Sequence, residues 1–270
     1  MPDNTIIGVA FPPSDRLRSI LADRLESGET DEAQVASPLF KIRAADSNGQ
    51  RNSANILIDR MYSWRGYQAN LLPDAENLDR ITLVASDRDA VIGTMSVGFD
   101  GPDGLLVEDL FPQEIANLRA AGSRICEFTK LAVDVGLASK HVLASLFHVA
   151  YIYAYRIRRF DRLMIEVNPR HVRYYERVLG FEVLGPERIN KRVNAPAVLL
   201  CLRFEHTQEQ IGKYGGNAHP ASESRPLYPL AFSVEEEAGI VARLSRPVVH
   251  AEPVLPPHPR REQVLLAKSS

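Results

Sequence analysis

Two charged residues stand inside an otherwise apolar segment, residues 125–134 (ICEFTKLAVD). The Ile, Phe, Leu and Val positions around Glu127 and Lys130 are typical of a buried strand. Burial raises the pKa of a carboxyl group, and a carboxylate tuned in this way can remove a proton from an amine. Glu127 is therefore a candidate general base. The alternative is a structural carboxylate, neutralised by Lys130 or by a nearby arginine.

The three-residue spacing of Glu127 and Lys130 limits how they can act together. Side chains alternate between the two faces of a strand, so regular geometry would place these residues on opposite faces. One extra residue in the strand, a β-bulge, would bring both onto the same face. We expect a shared site for Glu127 and Lys130 only if such a bulge is present.

A second polar group follows at His171, Tyr174 and Tyr175. Residues four apart share one face of a helix, so His171 and Tyr175 would lie together, with Tyr174 offset by about 100°. Either tyrosine could protonate a departing thiolate, and His171 could carry a proton or hold a carboxylate. The alternative is that Tyr175 packs on a sheet while His171 occupies the first helical turn without a role.

These groups need an alternation of strands and helices to position them. The apolar segment 139–159 predicts a buried helix, and Asn168, Pro169 and Gly180 have the types and spacing that begin and end another. Further elements are predicted at 39–44 (strand), 55–70 (helix, with Ile56, Leu57, Met61 and Trp64 on one face), 81–85 and 90–97 (a hairpin), 112–121 (helix), 163–167 and 195–204 (strands). Alternation of this kind predicts an α/β sandwich.

The composition of the chain limits the class of protein. The 270 residues are 45% hydrophobic and 24% charged, with a net charge of −2, which argues against a strongly basic nucleic-acid binder. No segment has a secretory signal pattern or the length of a membrane span, so we expect a cytoplasmic protein. Cys126 and Cys201 lie in apolar runs typical of buried thiols. No metal-ligand spacing occurs, and we predict no metal site.

Three regions differ in composition. We predict an N-terminal extension at 1–36, the α/β domain at 37–206, and a C-terminal region at 207–270 containing a linker, a short helix from about Ser233 and a proline-rich tail. Residues 156–192 hold ten basic and five acidic residues, a local excess of five positive charges. Cations at a helix C-terminus account for part of it. The rest could steer an acidic partner or a phosphate-bearing arm.

The segment 81–204 resembles the N-acyl amino acid synthase family, which is related to the acyl-homoserine-lactone (autoinducer) synthases within the GNAT acetyltransferase superfamily. The resemblance is carried by VIGT at 91–94, ExxKLAV at 127–133, NPRH at 168–171, YY at 174–175, LGF at 179–181 and APAVLL at 195–200. Residues 60–67 resemble the aromatic and basic N-terminal helix of the same relatives. The family fold would be a three-layer sandwich, with a central mixed sheet that is splayed and bulged at the Glu127 strand.

The resemblance also implies an activity. The enzyme would move a long acyl chain from acyl carrier protein to the α-amine of an amino acid, with no bound cofactor and with the carrier's 4′-phosphopantetheine arm, or acyl-CoA, as co-substrate. Glu127 would be the base, acting through water, and His171 and Tyr175 would assist. The substrate would be bound by Lys130, Arg60, Trp64, Arg65 and Tyr174. Autoinducer synthases carry an arginine at the position of Lys130. The carrier protein would dock on Arg156, Arg158 and Arg159.

Two features differ from ordinary acetyltransferases. Their Gln/Arg-x-x-Gly-x-Gly/Ala pyrophosphate loop is replaced by residues 135–140 (VGLASK), which favours a carrier-protein donor with a single phosphate. Tyr175 stands five residues before Gly180, whereas the usual acid tyrosine stands four before its glycine.

Three other readings of the chain stay open. It could be an ordinary acyl-CoA-dependent N-acyltransferase acting on a small amine. It could be a vicinal-oxygen-chelate metalloprotein, since residues 174–181 also resemble that fold, although the sequence contains no repeat. A non-catalytic acyl-binding module is the third.

Overall fold

The fold is built on a sheet to which the described residues contribute eight strands. The computed structural model describes residues 5–10, 39–69, 71–72, 79–88, 90–134, 140–217 and 226–245. The strands are β1 (Thr5–Ala10), β2 (Leu39–Ala44), β3 (Arg80–Asp87), β4 (Ala90–Phe99), β5 (Ile125–Val133), β6 (Arg162–Val167), β7 (Glu182–Asn190) and β8 (Ala195–Arg203). Their order is β1-β2-β3-β4-β5-β6-β8-β7, and only the β5–β6 pair is parallel. The sheet is mixed and open, with β1 and β7 at its edges.

Helices cover both faces of the sheet. They are α1 (Asn48–Ser63), α2 (Pro112–Ala120), α3 (Lys140–Tyr151, continued as a π-helix over Ile152–Ile157), α4 (Val172–Leu179), α5 (Phe204–Tyr214) and α6 (Val234–Leu244). One face packs against α1 and α2, through two small clusters of buried side chains. The other carries the main core together with α3, α4, α5 and α6. The predicted three-layer sandwich around a central mixed sheet is confirmed.

Several local predictions are also confirmed. The side chain of Asn168 accepts a hydrogen bond from the backbone of Arg170, and Gly180 ends α4 in the left-handed region at φ 79°. The first turn of that helix, Pro169–His171, is 3₁₀. Ser233 begins α6 with a reciprocal capping box. Cys126 and Cys201 are free thiols, and burial raises the pKa of both, that of Cys201 to about 11.

Other local predictions were wrong. Helix α1 begins at Asn48, capped by Ser47, rather than at residue 55. Its buried face carries Ala54, Leu57 and Ile58, with Met61 packed beside them, so the predicted face was right for Leu57 and Met61 and wrong for its other two members. Ile56 and Trp64 point to solvent instead, with 70% and 74% of their surface exposed. The sequence reading also missed β7 and α5.

The strand β5 contains the expected bulge. Its pairing with β4 slips between Thr94 and Ser96, and Lys130 adopts the left-handed conformation at φ 52°. The extra residue lets Lys130 emerge on the same face as Glu127.

The strands β5 and β6 separate partway along their length. Their pairing covers three residues and ends at Glu127 opposite Met164, although β5 runs on to Val133 and β6 to Val167. Beyond that point the backbone edges of the two strands face a gap, which we call the splay. The sheet is thus interrupted beside Glu127, as expected.

Some of the sequence-based expectations lie outside the described residues. These are most of the 1–36 extension, the segment 135–139 that replaces the pyrophosphate loop of ordinary acetyltransferases, and residues 218–225 and 246–270. Within the described ranges, no helix is long and apolar enough to cross a membrane, and no group of metal-binding side chains occurs.

Candidate active site

Glu127 lies at the point where the splay opens, and its side chain is almost completely buried. Its Oε1 accepts a hydrogen bond from Nη2 of Arg80 at 2.5 Å, and its Oε2 accepts one from the backbone N–H of Val107 at 3.0 Å. Arg80 also donates to Oγ1 of Thr129 at 3.1 Å. The partner of the carboxylate is therefore an arginine that the sequence reading did not single out.

These two hydrogen bonds leave acceptor positions on the Glu127 carboxylate unoccupied. An ionised carboxylate offers about four lone-pair positions on its two oxygens. Glu127 can thus accept about two more hydrogen bonds, from water molecules or an amine. The free lone pairs meet the hydrogen-bonding requirement of a general base, and the Arg80 ion pair matches the structural carboxylate considered above.

Lys130 stands next to this pair on the bulge. Its Nζ donates to the backbone oxygen of Leu71 at 2.9 Å, in the segment that follows α1. Burial lowers the pKa of Lys130 to about 8, and repulsion from Arg80 and Arg192 adds to the effect, while Glu127 opposes it. The charge of Lys130 is therefore sensitive to pH in the neutral to mildly alkaline range.

A second carboxylate, Glu166 on β6, faces the same side of the sheet across the splay. Its Oε2 accepts hydrogen bonds from Nδ2 of Asn190 at 3.0 Å and from Nη2 of Arg192. Its Oε1 is buried and has no hydrogen-bond partner within the described part of the chain. Burial raises the pKa of Glu166, whereas Arg192 lowers it by a smaller amount and the charge of Glu127 adds to the rise.

The same turn of chain covers both carboxylates. In the 3₁₀ turn Leu106–Asp109, Val107 donates to Glu127, while Arg192 donates to the Leu106 oxygen at 2.5 Å and to Asp109 at 2.6 Å. Sequence reasoning missed Glu166 and Arg192 as site residues. A charge inside the apolar strand 162–167 was the available signal for Glu166, as it was for Glu127.

The predicted polar helix lies at the open end of the splay. Nε of Arg170 donates to Nε2 of His171 at 3.2 Å, and Nη2 of Arg170 donates to the Tyr67 hydroxyl at 3.0 Å. Partial burial lowers the pKa of His171, and the charges of Arg170 and Arg65 lower it further. Because Nε2 accepts the hydrogen bond from Arg170, it carries no proton in this arrangement, which disfavours the role of holding a carboxylate by charge.

The two adjacent tyrosines differ in environment. Tyr175 packs its ring against Phe147 and Phe181, with ring centroids 6.5 and 5.8 Å away, on the α3 side of the sheet. Burial raises the pKa of Tyr175 well above its usual value and that of the more exposed Tyr174 as well. A tyrosine that holds its proton so tightly is a poor donor to a thiolate, so the geometry favours the packing alternative for Tyr175.

The residues predicted on the first helix lie near this open end. Arg60 pairs with Asp134 at 2.5 Å, beyond the end of β5. Trp64 is exposed, and the guanidinium of Arg65 lies over its ring, 5.2 Å from the centroid. The positive charge of Arg65 also lowers the pKa of both His171 and Tyr175. The structure therefore brings Arg60, Trp64 and Arg65 to the mouth of the splay rather than to Glu127.

The three arginines expected to dock a carrier protein are placed differently. Arg156 forms a 2.9 Å ion pair with the buried Glu237 of α6, which compensates its charge. Arg158 lies over the Phe99 ring, and its backbone oxygen accepts a hydrogen bond from Arg124. Since Arg124 precedes β5, and 158–159 precede β6, these arginines lie at the end where the strands are paired. Arg158 and Arg159 therefore lie away from the gap, and docking of a carrier protein on Arg156, Arg158 and Arg159 stays a prediction.

An apolar cavity lies on the other face of the sheet, beneath α3. Its atom-free space is about 390 Å³, including the open mouth. Phe128 of β5 and Leu163 of β6 form the wall of the cavity on the sheet. Phe128 follows Glu127 in sequence, and Leu163 precedes Met164, the residue that pairs with Glu127. Phe147, Tyr151 and Leu179 contribute from the helices. The cavity thus adjoins the splay from the side opposite the carboxylates.

Comparison with known proteins identifies a family. The family model described as "N-acyl amino acid synthase FeeM" matches residues 53–203, more than half of the chain. The solved structure of FeeM, an N-acyl amino acid synthase from uncultured soil microbes, is 27% identical, with a TM-score of 0.56 over 62% of this chain and 90% of that one. None of the curated proteins matches the chain.

Two other solved structures are similar at lower identity. The acyl-homoserine-lactone synthase LasI is 14% identical, with a TM-score of 0.46 over 61% of this chain and 90% of that one. A GNAT-family acetyltransferase from Streptococcus pneumoniae is 16% identical, with a TM-score of 0.44 over 61% of this chain and 98% of that one.

Proposed function

Since the chain belongs to the N-acyl amino acid synthase family and is an N-acyltransferase, we propose that it transfers a long-chain acyl group from acyl carrier protein to the α-amine of an amino acid. The observation that carries the proposal is the splay between β5 and β6, which opens beside the buried Glu127 and the bulged Lys130. A thioester carbonyl placed in this gap would meet free backbone edges on both sides.

In the proposed reaction the acceptor amine loses a proton and the thioester donor loses its thiolate. The acceptor amine attacks the thioester carbonyl, a C–N bond forms, the C–S bond breaks, and the thiolate of the pantetheine arm leaves. Glu127 accepts the amine proton through a water molecule at its free lone pairs. Backbone N–H groups along the splay stabilise the oxyanion. Arg80 holds the carboxylate in place, which makes Arg80 a positioning residue.

Lys130 supplies the charge that would recognise the carboxylate of an amino acid. It lies on the same face as Glu127, and its ammonium group lies among Arg80 and Arg192, so the local field is positive. Acceptor carboxylates are attracted by such a field at short range. Trp64, Arg65, Tyr174 and His171 lie further out, where they would contact the acceptor side chain as it enters.

The apolar cavity is the observation that supports a long-chain acyl group as the substrate. Phe128 and Leu163 separate it from the carboxylate face only by the thickness of the sheet, and the splay interrupts the sheet just beyond them. An alkyl chain that passes through the splay would reach the cavity. Burial of each methylene contributes about 0.8 kcal/mol, so such a cavity favours long over short acyl groups.

A carrier-protein donor requires a docking surface at the open end. Lys140 begins α3 and Arg173 lies in the first turn of α4, both exposed and both at the end where β5 and β6 are separated. The acidic surface of a carrier protein would be attracted there. The alternative donor is acyl-CoA.

The test is a direct assay. The purified chain is incubated with long-chain acyl carrier protein or acyl-CoA and the twenty amino acids, and N-acyl products are measured by mass spectrometry. The proposal expects N-acyl amino acids with the carrier-protein donor. Product only from acyl-CoA would support the plain acyl-CoA enzyme, and no product from either donor would overturn the proposal.

A further inference from the structure

The apolar cavity beneath α3 is completed by a part of the chain that lies outside the family match. Six of its fourteen lining residues follow residue 203, where that match ends: Phe204, Thr207, Ile211, Leu227, Tyr228 and Ala231. The other eight belong to the matched region. The far side of the cavity is therefore contributed by α5 and by the segment leading into α6.

This segment is fixed by hydrogen bonds to the matched region. The Tyr228 hydroxyl donates to the backbone oxygen of Leu179 at 2.6 Å, and the backbone N–H of Leu227 donates to the oxygen of Val178 at 3.0 Å. Both accepting residues belong to α4, and Leu179 lines the cavity. The wall is thus tied to the helix that follows the splay.

A buried polar network fixes the other end of the wall. The backbone N–H of Phe232 donates to Nδ1 of His148 at 3.0 Å, so this nitrogen carries no proton. The Nε2–H of the same neutral ring then donates to Glu237 Oε2 at 3.0 Å, while Arg156 binds Oε1 at 2.9 Å. His148 and Glu237 are 2% and 5% exposed. Buried, satisfied networks of this kind rigidify the parts they join.

The surface of the cavity is apolar, although the hydroxyl groups of Tyr151 and Thr207, two of its lining residues, are buried without a hydrogen-bond partner among the described residues. His148 uses both ring nitrogens and Tyr228 uses its hydroxyl, so the parts of these side chains that border the cavity are apolar carbons. A cavity of this character stays dry and accepts apolar groups. An unsubstituted alkyl chain is the ligand that matches it.

We propose that residues 204–217 and 226–244 form a fixed end wall that sets the longest acyl chain the enzyme accepts. The inference rests on the proposed function, because it assumes that the acyl tail occupies the cavity. Ala231 and Leu227 are the positions at which a change of side-chain volume alters the depth of the cavity without touching the candidate active site.

Three variants test the end wall. Ala231→Leu fills the far end, Leu227→Ala deepens it, and Val234→Leu, at an exposed position on the same segment, is the matched control. Each is given an equimolar mixture of acyl carrier proteins with tails from short to long, and the chain lengths of the products are measured. In parallel, fatty acids of increasing length displace a fluorescent polyene fatty acid from the donor-free protein.

The expected result is a shift of the product distribution to shorter chains in Ala231→Leu and to longer chains in Leu227→Ala. Each methylene that no longer fits should lower kcat/KM for that donor about fourfold. Val234→Leu should match the wild type, and melting curves should show that all three variants are folded. The displacement series should shift in the same directions.

Two outcomes separate failure of the inference from failure of the proposed function. If the folded variants transfer acyl groups with the wild-type length distribution and show an unchanged displacement series, the end wall does not limit acyl length. The proposed transferase function is unaffected by that result. If the wild type transfers nothing from any donor, yet the displacement series still shifts as expected, the proposed function falls and the alkyl-binding cavity with its end wall remains.

Discussion

Nη2 of Arg80 lies 2.5 Å from Oε1 of Glu127, at the point where β5 and β6 cease to pair. The two side chains are 15% and 2% exposed, so little solvent screens their attraction. Such a buried pair is costly to break by removing one partner, because the other charge is left uncompensated. The arrangement fixes the carboxylate at the mouth of the gap and makes its position, as well as its charge, a property that can be tested.

Gly98 gives the first test of that position. It pairs with Glu127 across the sheet, and a Cβ added there would lie 2.8 Å from Arg80 Nη2 and 2.9 Å from Glu127 Oε1. Gly98→Ala should therefore displace the ion pair and lower kcat/KM by about tenfold or more, as small displacements of catalytic groups do. Gly49→Ala in α1 is the control, since its Cβ would meet nothing within 4 Å. Equal activity of both folded variants would contradict the account.

Glu127 and Glu166 can be compared by the same substitution. Glu127→Gln should lower acyl transfer at least about a hundredfold, the usual scale for loss of a general base, with the fold intact. Glu166→Gln should lower it less than about tenfold, because the proposed mechanism gives Glu166 no proton-transfer step. Single-turnover rates measured on both variants decide the matter. A greater loss in Glu166→Gln would move the role of base to Glu166, whose Oε1 accepts no hydrogen bond from any residue that the structure describes.

The lowered pKa of Lys130 predicts that acceptor binding depends on pH. Because its pKa is lowered to about 8, the ammonium is charged below that pH and neutral above it. Acceptor binding that relies on this charge should weaken as the pH rises from 7 to 9, by up to about tenfold. Lys130→Arg keeps its charge, so the ratio of its kcat/KM to that of the wild type should rise over this range. Parallel pH profiles of the two enzymes would exclude Lys130 from acceptor binding.

The same shift affects stability. The unfolded lysine, with a pKa of 10.5, binds a proton between about pH 8 and pH 10.5 that the folded one does not. The contribution of Lys130 to the free energy of unfolding should therefore rise with pH over that window. Denaturant unfolding of the wild type and of Lys130→Met at pH 7.5 and pH 10 measures it, and the methionine variant should lack this part of the pH dependence.

The docking surface is tested by two matched charge reversals. Lys140→Glu/Arg173→Glu reverses charges at the open end of the splay, and Arg158→Glu/Arg159→Glu reverses charges at the paired end. The first should raise KM for acyl carrier protein about tenfold with kcat nearly unchanged, and the effect should shrink at high salt. The second should change little. The opposite pattern would return docking to Arg158 and Arg159.

The sequence alone predicted the strand, the bulge and the gap that surround the candidate site. A charge inside an apolar strand located Glu127, and the order of motifs located the strands on either side of the gap. The partner of Glu127 was not predictable, because Arg80 reaches it only through the register that sets Gly98 opposite Glu127. Pairing registers across a sheet are set by tertiary packing, which a local pattern does not contain.

Two local errors have physical causes. The start of α1 was missed because the cap at Ser47 is followed by Gly49, which has low helix propensity, although Gln50 completes the cap by accepting from Asp46. The C-terminal region was interpreted as a linker from its prolines and glycines. Leu227 and Tyr228 are nevertheless buried, because they cover an apolar cavity that the preceding domain leaves open.

The most direct test of the central claim is the product of the purified wild-type chain. It is supplied with long-chain acyl carrier protein and a mixture of amino acids, with Glu127→Gln as the blank, and the lipid extract is analysed by mass spectrometry. The account predicts N-acyl amino acids carrying the donor's acyl chain, at least about a hundredfold less abundant in the blank. Free fatty acid alone, or equal product from the folded Glu127→Gln variant, would contradict it.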